Sequence, residues 1–262
     1  NTPEIVNSYN DLRISYYYET NHGLAYARNQ AIEKAQGEFL AFLDSDDEWM
    51  TNKLEKQVAL MQRNDQIELL FTNFLNINIL EDKQEIAFEE NVDAMELLQD
   101  EEIEDNLFVI RKGWLESLAI SDYVATPSIL MKRNVLQRVG NYNETLRNSV
   151  DLELKWRMGL NHVCCAFTDE VLMVRYKPPG SLSSPGKNTL LNNIKALDLC
   201  KAHSLLAGRN DLIVHLVNPY RNVWHNMITA CAQEGDRTGM LHAFRQSLQY
   251  GFRPGALRLL WQ

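Results

Sequence analysis

The run Phe42-Leu43-Asp44-Ser45-Asp46-Asp47-Glu48-Trp49 sets three aspartates where an apolar stretch, residues 38–43, passes into a loop. In open α/β sheets ligands gather in the crevice beyond the carboxyl ends of the strands. Carboxylates clustered there can hold Mg²⁺ or Mn²⁺ beside substrate phosphates. Read alone, the same triplet also fits a solvated turn ahead of a helix N-terminus. Arg28, upstream on a helical pattern, could pair bidentately with a phosphate or with Asp44, although an isolated arginine on a helix is ordinarily a surface residue. Asp151 opens a second helical pattern, where an acid is favoured by the helix dipole. The histidines form no HExxH or paired-ligand spacing, so zinc hydrolysis is excluded. An EF-hand loop is excluded because Trp49 stands where that loop needs glycine.

Several elements must position these groups. Residues 2–9 suit a helix with an early proline, residues 12–19 a strand rich in Tyr and Ile, and residues 21–23 a turn. Leu24, Ala27, Ala31 and Ile32 recur at helical spacing, as do Leu54, Val58 and Met61 over residues 52–63. Residues 69–80 read as one or two strands, 91–118 as partly polar helix, and 124–131 as a strand followed by a short helix through Val139 and a turn at Gly140-Asn141-Tyr142. Helices alternating with buried strands imply parallel βαβ units. Beyond Pro185 the pattern becomes helical, over 190–206, 211–233 and 237–261, with interruptions at Gly251 and Pro254.

Between Asn21 and Leu60 the chain reads Gly23-Leu24-Ala25-Tyr26-Ala27-Arg28-Asn29, then Gly37-Glu38, an apolar strand and Leu43-Asp44-Ser45-Asp46-Asp47. This order resembles the core of family-2 glycosyltransferases. A second half of the resemblance lies in Thr126-Pro127-Ser128, in Val139-Gly140-Asn141-Tyr142-Asn143-Glu144, and in Val150-Asp151-Leu152-Glu153. It implies a GT-A-type fold, α/β with a mostly parallel sheet flanked by helices. It also implies that the first strands precede Asn1, so that residues 1–184 form the transferase domain without its N-terminal portion and 185–262 a helical C-terminal region.

The implied activity moves a sugar from a nucleotide-diphosphate sugar donor to an acceptor hydroxyl, with inversion and with Mn²⁺ or Mg²⁺. By this resemblance Asp151 is the general base, which a sugar hydroxyl needs because it is a poor nucleophile near neutral pH. Asp46 is the first metal ligand, and Asp44 shares the metal region or reaches the ribose. Asp47 joins them or caps the helix starting near Met50. Arg28 and Ser183 are donor contacts, the latter in the Ser-rich segment after Lys177-Pro178-Pro179-Gly180, which otherwise reads as a mobile connector. Val150 stands where the family usually has Glu. The acceptor implied is a glycan or a lipid-linked precursor in surface glycan synthesis. A catalytically silent GT-A-like scaffold would account for Val150 and for the strands expected to precede Asn1. A metal-dependent nucleotidyltransferase would account for the acidic loop but ordinarily brings a phosphate-binding loop that these residues lack.

Composition narrows the remaining classes. The 262 residues are 45% hydrophobic and 23% charged, enough for one large or two small cores. A net charge of -9 argues against nucleic-acid partners, which demand a basic face. Much of the negative charge falls in residues 81–105, expected as a solvated insertion. Apolar runs stop near strand length, far short of the roughly 20 residues of a spanning helix. The Arg, Leu and Trp of residues 253–261 would suit no more than weak contact with a membrane surface. Four cysteines without a CxxC pair suggest a reduced thiol state, hence a cytoplasmic chain, peripheral at most to the inner membrane face.

Overall fold

The computed structural model describes residues 2–177 and 186–251. Along the chain come α1 (Thr2–Ser8), α2 (Leu24–Lys34), β1 (Phe39–Ala41), β2 (Asp47–Trp49), α3 (Lys53–Arg63), β3 (Leu69–Asn78) and β4 (Lys83–Ile86). They are followed by α4 (Ala87–Glu90), α5 (Val92–Met95), β5 (Gln99–Glu104), β6 (Leu107–Lys112) and α6 (Trp114–Ile120). The 3₁₀ turn Thr126–Ser128 leads into β7 (Leu130–Lys132), α7 (Arg133–Val139), α8 (Val150–Leu160) and β8 (Cys165–Lys177). Helices α9 (Lys187–Leu206), α10 (Val217–Gln233) and α11 (Arg237–Leu248) complete it.

The fold class is α/β, a central sheet flanked by helices with a helical C-terminal region. The sheet runs β1-β7-β3-β8-β6-β5, with β2 added on β8 and β4 on β3. It is mixed rather than mostly parallel. β3 and β8 are parallel, whereas β1–β7, β3–β7, β6–β8, β5–β6, β2–β8 and β3–β4 are antiparallel. Helical crossover through α3 does leave β1 and β3 pointing the same way, as the alternation of helix and strand requires. The two are not neighbours, because β7 enters between them in the opposite direction. Alternation fixes relative direction but not adjacency.

Three expected elements differ. Residues 12–19 form no strand, and Leu12, Tyr17 and Tyr18 are exposed with no ladder partner among the described residues. The 91–118 segment is the β5–β6 hairpin between short helices: Asn106 takes φ 58° at the turn, while Leu107 and Val109 alternate into the core. Its acidic part includes edge strand β5, whose Gln99–Glu104 side chains are largely solvated, an arrangement that discourages edge pairing. Residues 124–131 contain a strand only from Leu130, since Pro127 cannot donate to a ladder and the chain turns there instead.

β3 reads Leu69-Leu70-Phe71 without polar alternation because both its faces are covered. Phe71 stacks on Phe167 with centroids 5.7 Å apart and meets Phe88 and Tyr123 edge-on. The apolar core continues from these rings through Trp156 of α8 to Leu197 and Cys200 of α9 and Ile228 of α10. Inside this layer Trp156 donates its Nε1–H to Ser204 Oγ at 2.9 Å. Cys164, Cys165, Cys200 and Cys231 are unpaired thiols.

Gly113 enters α6 at φ 85°, and a Cβ there would lie 1.9 Å from the Leu97 carbonyl oxygen. Gly113→Ala therefore combines left-handed strain with backbone overlap and is expected to cost at least about 2 kcal/mol. Urea unfolding followed by circular dichroism should show a lower midpoint, and an unchanged midpoint would contradict the packing of the α5–α6 junction.

Candidate active site

The acidic loop is held at both ends. The Asp47 N–H donates to the Asp44 carbonyl at 3.1 Å, closing a turn over Ser45 and Asp46, and β2 then pairs with residues 173–175 of β8. Trp49 donates from Nε1 to the Pro127 carbonyl at 2.8 Å, tying the loop to the 126–128 turn. Beneath it Lys53 is fully buried, with Nζ 4.5 Å from the Trp49 ring centre and donating to Gln57 Oε1 at 2.7 Å. Gln57 in turn donates to the carbonyls of Leu70 and Ser128. With no carboxylate against it, burial brings the Lys53 ammonium down to about 7.

Arg28 reaches the loop from α2. Its side chain is 7% exposed and lies between the rings of Phe42 and Tyr142, at 5.8 and 5.3 Å from their centres. Nη2 donates to Asp44 Oδ1 at 2.9 Å and to Oδ2 at 3.2 Å, while Nη1 is buried with no protein partner. Burial works against the guanidinium charge, but Tyr142, Asp44 and Asp151 more than offset it and hold its pKa above the ordinary value. The next residue, Asn29, mimics a backbone pair with Tyr142: its Nδ2 donates to the Tyr142 carbonyl at 3.0 Å and its Oδ1 accepts the Tyr142 N–H at 2.9 Å. The Ala-Arg-Asn pattern is thus one ion-pairing residue followed by one that fixes the ring beside it.

Asp151 sits in the first turn of α8, after Ser149 at φ 55°. Its Oδ2 accepts from the Thr126 hydroxyl at 3.3 Å and its Oδ1 from the Leu152 N–H at 3.1 Å. Burial would raise its pKa. Lys155, Arg28 and the N–H groups of Asp151 and Leu152 outweigh that and hold it below the usual carboxylate range, so the carboxyl is ionised near neutral pH. Neighbouring Val150 is 1% exposed and packs in the hydrophobic core.

Asp44 and Asp46 offer hard oxygens on one loop. Asp44 is 38% exposed even while bonded to Arg28, and Asp46 is exposed at the tip of the turn. The described residues contain no group of three His, Cys, Asp or Glu side chains able to enclose a metal ion. Asp44 and Asp46 are the two loop carboxylates that could share Mg²⁺ or Mn²⁺ with phosphate oxygens and water, the manner in which these ions are commonly bound, although both Asp44 oxygens are bonded by Arg28 here. Asp47 does not cap the helix: it lies in β2, well before the helix start at Lys53, and its Oδ1 accepts the Tyr176 N–H at 3.2 Å. Antiparallel pairing of β2 turns that side chain to β8 and away from the helix. Ser183 lies outside the described residues.

Structure therefore brings Arg28, Asp44 and Asp151 together electrostatically, with Asp46 on the same loop. Sequence reading gave no role to Asn29, Thr126, Tyr142 or Lys155. The first three lie within the family patterns, but their partners are up to 113 residues away, and only the fold reveals them.

Residues 1–120 match the family described as glycosyl transferase family 2. Over 79 residues the chain is 44% identical to the Escherichia coli UDP-Glc:alpha-D-GlcNAc-diphosphoundecaprenol beta-1,3-glucosyltransferase WfgD, covering 30% of this chain and 31% of that protein. Its structure superimposes on S. aureus TarS 1–349 in complex with UDP-GlcNAc, with TM-score 0.52, 16% identity, and 95% and 78% of the two chains covered. It also superimposes on the mannosyltransferase PcManGT of Pyrobaculum calidifontis in complex with GDP-Man and Mn²⁺, with TM-score 0.52, 14% identity, and coverage of 99% and 64%. The fold is of the GT-A type, and the likeness to glycosyl transferase family 2 is carried by residues 1–120.

Burial, together with Asp46 and Asp44, raises Asp47 to about 6, against the Tyr176 N–H and Arg175. A carboxyl whose folded pKa exceeds its unfolded value holds more protons when folded, so native stability falls as pH rises from about 4 to about 6. After discounting for its partial exposure, the loss should be about 1 kcal/mol. Asp47→Asn keeps an acceptor for the Tyr176 N–H and should remove this dependence. Urea midpoints at pH 4.5 and 7 for both proteins test it, and identical pH dependence in the two would refute the assignment.

Proposed function

We propose that this chain carries the donor and base side of an inverting, metal-dependent glycosyltransferase acting in surface glycan synthesis. The observation that supports it most is the buried Arg28 guanidinium, which bonds Asp44 of the acidic loop and raises the acidity of Asp151 on α8. One cation thereby joins the phosphate-facing and proton-accepting halves of a single site. The named ligands of the similar structures, UDP-GlcNAc and GDP-Man, support a nucleotide-diphosphate sugar as donor. The diphosphoundecaprenol in the name of the E. coli relative supports a glycan or lipid-linked acceptor. No helix of the described residues is long and apolar enough to cross a membrane.

In this reading Asp46 and Asp44 would hold Mn²⁺ or Mg²⁺, which when bound offsets the charge gathering on the departing diphosphate. Arg28 adds a fixed positive charge beside Asp44. The acceptor hydroxyl attacks the anomeric carbon opposite the leaving group. As the new C–O bond forms, the bond from that carbon to the phosphate oxygen breaks. The hydroxyl proton passes to Asp151, already ionised and aimed by Thr126 and the Leu152 N–H. The Ser183 segment would contact the donor, with 1–184 as the transferase portion and 185–262 as its helical support.

Calorimetric titration of UDP, GDP and their sugars, with and without Mn²⁺, is the deciding measurement. Binding should require Mn²⁺ and be lost in Asp46→Ala. Asp151→Asn should bind donor normally but slow its turnover with saccharide acceptors by about 10²–10⁴-fold. Nucleotide binding that ignores both Mn²⁺ and Asp46, or turnover that survives Asp151→Asn, would overturn the reading.

A further inference from the structure

Lys155 lies one helical turn beyond Asp151 on α8, and its side chain is 2% exposed. An ammonium taken from water needs acceptors on several sides. Nζ has two: it donates to the Asp122 carboxylate, just past the end of α6, and to the Val124 carbonyl at 2.6 Å. Both acceptors belong to the connection that runs on to the Thr126–Ser128 turn, and Thr126 is the residue whose hydroxyl bonds Asp151. Lys155 thus reaches the Asp151 carboxylate in two ways, through its charge from the same helix and through the backbone that places the Thr126 hydroxyl. Asp122 remains 37% exposed and competes for the same cation.

We propose that Lys155 is a positioning residue of this site, its ammonium tying Asp122 and Val124 so that the Thr126 hydroxyl is held against Asp151, with the two carboxylates sharing its charge. The inference rests on the reading of Asp151 as proton acceptor. The site thereby keeps a second carboxylate beside its base although position 150 is an apolar core residue. Asp122 arrives from another element and through a shared lysine instead of from the adjacent residue.

The groups facing Asp151 are Lys155 on its own helix, Arg28 from α2, Tyr142 from the loop after α7, and Asp122 and Thr126 from the connection after α6. Arg28 acts with Lys155, and its charge is already engaged by Asp44. Asp151 in turn raises the pKa of Asp122, after burial and against Lys155. The two carboxylates therefore oppose each other across one ammonium. Changing the lysine and changing Asp122 should move Asp151 in opposite directions.

Carboxyl-carbon NMR of the whole chain labelled at aspartate, with Asp151 assigned by its loss in Asp151→Asn, reads this without any substrate. Lys155→Met should make Asp151 at least about tenfold weaker as an acid, since an opposite charge within reach ordinarily lowers a carboxyl by one unit or more. Asp122→Asn should make it stronger, because the ammonium then has Asp151 as its nearest carboxylate. A purely structural lysine would lower the melting temperature and leave the Asp151 midpoint where it was, and that result overturns the proposal. If Lys155→Met does not fold, Asp122→Asn carries the test alone, and an Asp151 midpoint that stays or rises overturns it. Failure of the transferase reading shows separately, as donor turnover that survives Asp151→Asn while the opposed NMR shifts persist.

Discussion

A guanidinium withdrawn from water must find compensating charge and acceptors, and Arg28 finds them in Asp44 and in the two rings that flank it. Removing one partner of such a pair typically costs about 3–5 kcal/mol, because the other is left buried and uncompensated. The surrounding elements are arranged to meet that demand. α2 presents the arginine, β1 ends where its aspartate can reach back, and the loop after α7 brings Tyr142 over it. Asn29 then locks that loop through its backbone. The arginine thus ties α2, the acidic loop and the loop after α7 together, with Asp44 left partly open to solvent.

A second polar chain ties α8 to the rest of the molecule. Glu153, 1% exposed, accepts from Arg157 Nε at 2.7 Å and from Nη2 at 2.9 Å and meets His203 of α9 at 2.9 Å. Burial alone would raise this carboxyl, yet His203 and Arg157 hold it below the ordinary range. Arg157 spends its remaining donors on the carbonyls of Val139, Gly140 and Asn141, immediately before Tyr142. With the Trp156–Ser204 bond, these contacts tie α9 to the helix that carries Asp151. The helical region is thereby mechanically joined to the site.

Much of this was legible in the sequence, for identifiable reasons. Helices α2, α3 and α9–α11 announce themselves by 3.6-residue apolar spacing, and β3 by its uninterrupted run of large apolar residues. Asp44, Asp46, Arg28 and Asp151 stand out through ordered motifs. Pairings between distant segments were not legible: periodicity says nothing about which strand lies beside which, so the place of β7 and the turn of Asp47 toward β8 stayed hidden. The β5–β6 hairpin was masked by its acidic composition, which resembles a polar helix until Asn106 is seen in the left-handed region. Lys155 gave no signal, since a lysine in a helix is ordinarily solvated, and only the acceptors supplied by Asp122 and Val124 reveal its burial.

The insertion of β7 between β1 and β3 has a kinetic consequence. β1 is complete by Ala41 and β3 by Asn78, but the strand that joins them starts at Leu130. Until it docks, a nascent chain carries β1 and the start of β3 without the strand that lies between them in the folded sheet. Closing such long-range pairings is entropically slow, and open edges in that interval invite association with other chains. The same strand follows directly on the 126–128 turn whose Thr126 hydroxyl meets Asp151, and β8, which pairs with β2, β3 and β6, follows only from Cys165. Molecules stalled before β7 docks would be prone to associate.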